Sequence, residues 1–565
     1  MNKFKTASGI ALLFLGVCST PIIIFVILLF DNAPSRGAAA FTFIATPLIA
    51  TAAGYLLLRP LKEKNKWLSR CAYGLMGLFI LQFAGGILIH VVEDYRGEQA
   101  WENFKQEWEA KGEVFDYKQV IPKPVPTEKN FAHIPLLKPL LEHNWNDALT
   151  EATPRDPQKH EQAQNLMKIE GSRRPDFGRW VVGQPADLAA WQKFFREEEG
   201  WPHPEKAGDP AADVLSALGK FEATMTELTR AAKERPLCRY DIKYEAHFAM
   251  LLSHLAPIRR FVRSFTLRAL AHLGNDDSES CLADVRMCLF LAESVGDEPT
   301  LISQLIRIAS LQLALQPVWE GLKGEKWNAE QLAVIEKQLA AIDLLEGYRI
   351  SMLGERDFAN LAVDQLASNP KALSGILNET GNNLAIENFK IGLPPHGWIL
   401  QNQSRLNEMH VRFTQRIIDT KVRRIHPDIE ANLEAEIKRR AAANFPIYDM
   451  LSGMLIPGIG KVANRIGWGQ TAVDHARIAC LLEQHRMEQK KYPAQLAELK
   501  SPLPRDVYTG KPYLYKADKE GRYQLYGVGW NQKDDRGKVV LTDEGGLNPE
   551  MGDLVWSYSP QSAAE

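Results

Sequence analysis

The sequence has no excess of charge of either sign: 67 Lys and Arg stand against 69 Asp and Glu, a formal charge of −2 over 565 residues. That balance excludes a globally basic nucleic-acid binder and an acidic disordered tail, while local patches stay open. Cysteine is scarce, six residues in all, and no two form a C-x-x-C metal or redox pair. Cys281 and Cys288 lie two turns apart on a predicted helix, roughly 10 Å along its axis, too far for a disulfide, so buried free thiols are expected. Gly at 39 and Pro at 32 are too few for a collagenous or low-complexity chain, and a 45% hydrophobic fraction excludes general disorder. G-x-S-x-G, P-loop and H-E-x-x-H motifs are also missing, which lowers the case for an enzyme without excluding an unfamiliar site. The length fits two to four domains.

What is present is concentrated at the start. Ser8 to Phe30, Gly37 to Leu58 and Ala72 to Val92 are apolar runs free of Lys, Arg, Asp and Glu, each near the ~20 residues a helix needs to cross hydrocarbon. Lys3 and Lys5 precede the first run, and Arg59, Lys62, Lys64, Lys66 and Arg70 fill the connector before the third. The positive-inside asymmetry therefore predicts a bacterial inner-membrane protein with its N-terminus in the cytoplasm and residues after 92 extracytoplasmic. The first run is too long for a signal-peptide core and has no A-x-A-like site. Cys18, after Leu15-Gly16-Val17, is a poor lipoprotein box because Val17 is large and the apolar run continues.

Beyond the membrane, 93–129 reads as a helical stalk, with Trp101, Phe104 and Trp108 on one face and a stop at Gly112, followed by the stiff Pro-rich linker Ile121 to Pro126. The stretch 130–210 reads as irregular and holds Trp145, Trp180, Trp191 and Trp201, which serve either an aromatic core or a glycan surface. The pattern of 211–467 is helical. Leu267 to Gly296 predicts helix, turn and helix, with Asp276 or Asp277 as N-cap and Leu282, Val285, Cys288, Leu289 and Ala292 buried. A central bundle helix runs from Pro299 to Leu322, where Gln304, Arg307 and Pro317 argue against a membrane span. Asn328 to Gln331 predicts a capping box, with Leu332, Ile335, Leu339 and Ile342 behind it. Successive helix pairs resemble a tetratricopeptide-like solenoid without its 34-residue period, so bundle and solenoid both stand.

Few groups suggest chemistry. His247 and His254 with Glu245 read either as metal ligands needing a third element or as packing histidines. Glu355 and Asp357, flanking Arg356, read as acid–base candidates or as a solvated helix face. Leu455-Ile456-Pro457-Gly458-Ile459-Gly460-Lys461-Val462-Ala463-Asn464-Arg465-Ile466 resembles the second half of a helix-hairpin-helix, L-P-G-I-G-x-x-x-A-x-x-I, with Ile456 as an extra residue. The resemblance implies that a turn at Gly458 and Gly460 offers backbone N–H groups to a DNA phosphate beside Lys461 and Arg465. A plain Pro-Gly break between two apolar helices explains the same residues. So does a membrane-interface stretch using Met450, Leu451, Met454, Leu455, Ile459 and Trp468.

Gln470 to Tyr558 combines a helix, Tyr492-Pro493, Leu496 and Leu499, Leu503-Pro504 with Asp506, and strands ending in Tyr526-Gly527-Val528-Gly529. Alternation predicts strands over Tyr513–Lys516 and Arg522–Tyr526, joined through Asp518 to Gly521. The segment resembles the soluble domain of the type II secretion major pseudopilin, and the whole chain resembles an uncharacterised family of bacterial membrane-anchored proteins bearing that tail. Neither a prepilin peptidase site nor a single pilin helix feeds the segment. The resemblance implies a shared module of 468–565 and calcium in a carboxylate-rich loop, for which Asn531, Asp534, Asp535 and Asp553 are the closest match; a polar turn without an ion is equally compatible.

The expected fold is thus mainly α. It comprises a three-helix membrane anchor over 1–92, the stalk and linker 93–129, the Trp-rich region 130–210, a helical domain 211–467 and a small α+β domain 468–565. The expected function is a non-enzymatic, bilayer-anchored envelope protein that binds protein partners outside the cytoplasm, with a secretion-related role implied by the pseudopilin resemblance. Alternatives are a membrane-anchored DNA-binding protein and an envelope hydrolase with no nominated residue.

Overall fold

The computed structural model describes residues 66–147, 149–171, 173–368, 395–442, 448–518, 522–543 and 546–557. The first two apolar runs therefore lie outside the described residues, and the third lies within the helix Lys66–Glu109. The described chain is mainly helical with small antiparallel sheets, and it separates into two compact units.

The smaller unit takes residues from Met1–Val114, Asn360–Asn407 and Arg440–Met454. Its helix α1, Lys66–Glu109, exposes Leu81, Ile87, Leu88, Ile89, Val91 and Val92. At Glu93 the surroundings change: its Oε2 accepts from Trp398 Nε1 at 3.1 Å and Tyr448 Oη at 2.7 Å, and Asp94 Oδ1 accepts from the Gly397 amide at 2.8 Å. A Cβ on Gly397 would collide with the Glu93 carbonyl, so only glycine permits this approach. Asn360 and Asn407 donate to each other's side-chain carbonyl at 3.1 and 2.6 Å. The expected aromatic stripe forms, with Trp101 stacked on Phe104 at 6.0 Å. The chain then leaves the helix and turns at Gly112, whose φ is +94°.

The larger unit takes Phe115–Ala359, Glu408–Arg439 and Leu455–Glu565. Its centre is a helical hairpin, α2 over Leu255–Gly274 and α3 over Ser278–Glu293, joined by three residues. Asp277 caps the second helix by accepting from the Ser280 amide. The expected inward residues Leu282, Val285, Cys288, Leu289 and Ala292 are buried. Helix α4, Leu301–Lys323, packs on both hairpin helices. Among the described residues it has the length and apolarity of a membrane span, yet 61% of its apolar window is buried inside the protein. Helix α5, Ala329–Ala340, opens with the expected Asn328–Gln331 capping box. Helix α6, Pro457–Gln489, then packs against both α4 and α5.

A three-stranded sheet lies on α6. Its middle strand Tyr523–Gly527 pairs antiparallel with Leu514–Ala517, Tyr515 facing Leu525, and with Leu554–Ser557 on its other edge. α6 crosses the expected 467/468 boundary without a break, and 115–359 and 455–565 belong to one unit. The region expected to be irregular carries short helices, Pro157–Asn165 and Leu188–Glu197, each opened by an aspartate cap. Trp180, Trp191 and Trp201 are buried, as an aromatic core requires.

Candidate functional site

The positions nominated from sequence do not assemble into reactive centres. Gly458 and Gly460 fall in the first turn of α6, where Pro457 occupies a helix-starting position, rather than in a separate hairpin turn. Lys461 and Arg465 are exposed one turn apart on the same helix. Leu451 of the interfacial reading is buried with Val363 and Ile399.

In the C-terminal turn, Asp553 Oδ1 and Oδ2 accept from the Asp535 and Gly537 amides at 3.2 and 2.6 Å, and Asn531 donates to Asp535 at 2.9 Å. Asp534 accepts from the Arg536 amide at 2.8 Å. Gly537, at φ +78°, closes the turn. Among the described residues, no three His, Cys, Asp or Glu side chains converge as a metal site.

His247 and His254 do not share a helix. His247 lies in the turn Tyr244–Ala249 at φ 38°, and His254 precedes the first residue of α2. His254 Nε2 meets Glu298 Oε1 at 2.7 Å, Ser303 donates to Glu298 Oε2, and the His254 ring stacks on Tyr240 at 3.9 Å. All four residues are buried. The composition is that of a hydrolytic triad, but the carboxylate stands between serine and histidine, so the imidazole is not in contact with the hydroxyl it would have to deprotonate. Beside it, burial pushes the Cys238 thiol up to about 12, away from thiolate chemistry.

The reading of residues 355–357 as a solvated face is overturned. Arg356 and Asp357 are buried and bonded at 2.9 Å, with the guanidinium over Phe115 at 4.6 Å. Glu355 accepts from the Leu301 amide at 2.8 Å and so caps α4 from another helix. The apolar spacing around these residues conceals this, because the partners come from segments far away in the chain.

A concave site with unmatched positive charge lies elsewhere among the described residues. A cleft of about 280 Å³ lies between α2, the segment 167–177 and Trp191, and is lined by Arg174, Arg260, Arg263, Asp176, Phe177 and Ser264 among others. The segment is tied down by its backbone. Arg174 Nη1 donates to the Ile169 carbonyl at 3.0 Å, Arg260 to the Gln164 carbonyl, Ser264 Oγ to the Met167 carbonyl at 3.3 Å and Trp191 Nε1 to the Asp176 carbonyl at 2.9 Å. Gly171, at φ +129°, packs where a Cβ would strike the Phe194 ring at 2.6 Å.

The carbonyl acceptors position the guanidiniums of Arg174 and Arg260 without cancelling their charge. The Nε atoms of Arg260 and Arg263 are buried and have no acceptor. Burial lowers the pKa of both, and for Arg263 the charges of Arg259 and Arg174 lower it further. The single carboxylate in the lining, Asp176, turns Oδ1 to the Gly178 amide at 3.2 Å. In sequence the only trace of this cluster is the helical spacing of Arg259, Arg260 and Arg263; Arg174 arrives from some ninety residues away.

No known protein family, curated protein or solved structure matches the chain.

Proposed function

We propose that this chain is a non-enzymatic protein anchored in the bacterial inner membrane, whose part after residue 92 engages partners outside the cytoplasm. The observation that carries this reading is α1. It leaves Leu81, Ile87, Leu88, Ile89, Val91 and Val92 uncovered and becomes tied to polar partners at Glu93, the change expected where a helix passes from hydrocarbon to water. The basic residues before the apolar run of α1 and the acidic pair after it support the orientation. Binding rather than catalysis is favoured because the acid–base groups of His254, Glu298 and Ser303 are sealed and in the wrong order. The secretion-related reading rests on the pseudopilin-like tail, with its helix-backed antiparallel sheet. The test is a pair of compartment-specific reporters fused after Glu565. Activity only of the extracytoplasmic reporter is expected, and activity only of the cytoplasmic one would overturn the topology.

A second reading has its own observation. Lys461 and Arg465 are exposed near the start of α6, and among the described residues neither makes an ion pair, which leaves both charges available to a phosphate backbone. Duplex DNA affinity that falls steeply with salt and is lost in Lys461→Gln/Arg465→Gln is its expected signature; absence of binding at low salt ends it.

A further inference from the structure

The cleft on α2 gathers three guanidiniums against one carboxylate. Two other arginines of the same unit have their counter-charge built in: Arg307 makes a two-point pair with Glu293 at 2.8 and 2.7 Å, and Arg268 does the same with Asp284 at 2.9 and 2.7 Å. Arg260 and Arg263 have no carboxylate partner, and Arg263 has no hydrogen-bond acceptor among the described residues. Holding like charges together beside a half-buried wall is unfavourable unless an anion joins them. The walls narrow the choice of anion. Phe177 lies 5.9 Å from the Arg263 guanidinium and 5.3 Å from the Trp191 ring, so an apolar aromatic surface borders the positive one. With Asp176 set against Arg174, Arg260 and Arg263, a single carboxylate ligand would still leave part of the positive charge unmatched, whereas a phosphate monoester brings a charge of about −1.5 to −2 and three acceptor oxygens. Guanidinium forks suit those oxygens geometrically. The volume of about 280 Å³ lies at the small end of ligand cavities.

We propose that this cleft is a binding site for a small phosphate monoester, its phosphoryl group held by Arg260 and Arg263 with Arg174 adding charge, and its carbon skeleton lying against Phe177. The site belongs wholly to the larger unit and does not depend on the membrane topology, so either conclusion can fail alone.

Calorimetric titration of the full chain in detergent, at constant ionic strength, tests it with phenyl phosphate, inorganic phosphate and benzoate as probes. Phenyl phosphate is expected to bind at least about tenfold more tightly than benzoate, since benzoate lacks the third acceptor oxygen and the extra negative charge that the guanidinium donors would meet. Arg263→Gln is expected to weaken phenyl phosphate by about tenfold or more while leaving the melting temperature at or above that of the parent. Arg263→Lys keeps the charge and loses the fork, and is expected to fall between the two. Phe177→Leu should weaken phenyl phosphate and leave inorganic phosphate unchanged. Absence of binding at millimolar concentration, equal affinity for benzoate, or affinity indifferent to Arg263→Gln in a folded variant would each overturn the proposal.

Discussion

Arg263 and Arg268 stand five residues apart on α2 and occupy opposite conditions. Arg268 meets Asp284 through two hydrogen bonds and Glu222 through a third at 3.0 Å. Burial alone would lower its pKa, but the bonds and charge of Asp284 push it up. Arg263 has no such partner, and burial followed by two neighbouring arginines pushes its pKa down. One helix therefore carries a guanidinium whose counter-charge is built into the fold and another whose counter-charge is not. The first holds α2 to α3; the second leaves its hydrogen-bonding capacity facing a cleft. The same contrast separates the sealed His254–Glu298–Ser303 network, in which each carboxylate oxygen of Glu298 has a partner, from the open arginine cluster.

The contrast can be tested most strongly by Asp284→Ala, which removes the buried two-point partner of Arg268 and leaves it only the exposed Glu222. A loss of about 3–5 kcal/mol in urea unfolding is expected, whereas Arg263→Gln should stay within about 0.5 kcal/mol of the parent or gain stability. Equal losses in the two variants would erase the distinction.

Acidification examines the sealed groups next. Burial, then the charge of Arg356, pulls His410 down to about 3, and burial alone does the same to His475. Both are neutral when folded and take up protons near pH 6.5 when unfolded, so each contributes stability that is present above that pH and is lost as pH falls towards 3. Asp474 opposes them: burial raises its carboxyl to about 6, so its ionisation lowers stability as pH rises from about 4 to 6. Two histidines outweigh one aspartate, and stability measured by chemical unfolding should fall between pH 6.5 and 5. Asp474→Asn should steepen that fall, and His410→Asn should flatten it by about 2 kcal/mol.

Smaller effects come from single hydrogen-bonded carboxylates. Asp553→Ala strips the acceptor from the Asp535 and Gly537 amides and should cost about 1–3 kcal/mol. The loss should be the same in excess calcium and in chelator, whereas a loss seen only with calcium would show that the turn holds the ion. Glu355→Ala removes the cap on the Leu301 amide and should cost about 1 kcal/mol, read as a shift in melting temperature.

Local features were legible from the chain, because they depend on neighbours in sequence. The Asn328–Gln331 box, the Asp277 cap, the inward stripe of the α3 helix and the strands around Asp518 follow from spacing and side-chain chemistry alone. The buried Arg356 was not legible, since its flanking charges imitate a solvated face and its cover, Phe115, lies far away in sequence. The tryptophans of 130–210 were legible as large apolar side chains, but the chain did not show that Trp145 is only half-buried or that Trp180 packs on the C-terminal strand, 4.9 Å from Trp556.

The sequence by itself determined that the chain is mainly helical, that three apolar runs precede its body and where its local caps and strands fall. Only the tertiary structure decided which charges are paired. A counter-ion is chosen by distance in space, and Arg174, Arg260 and Arg263 share one cleft only after the segment 167–177 folds over α2, with the Met167 carbonyl, and that of Gln164 just before it, accepting from Ser264 and Arg260 in bonds that no side-chain pattern encodes.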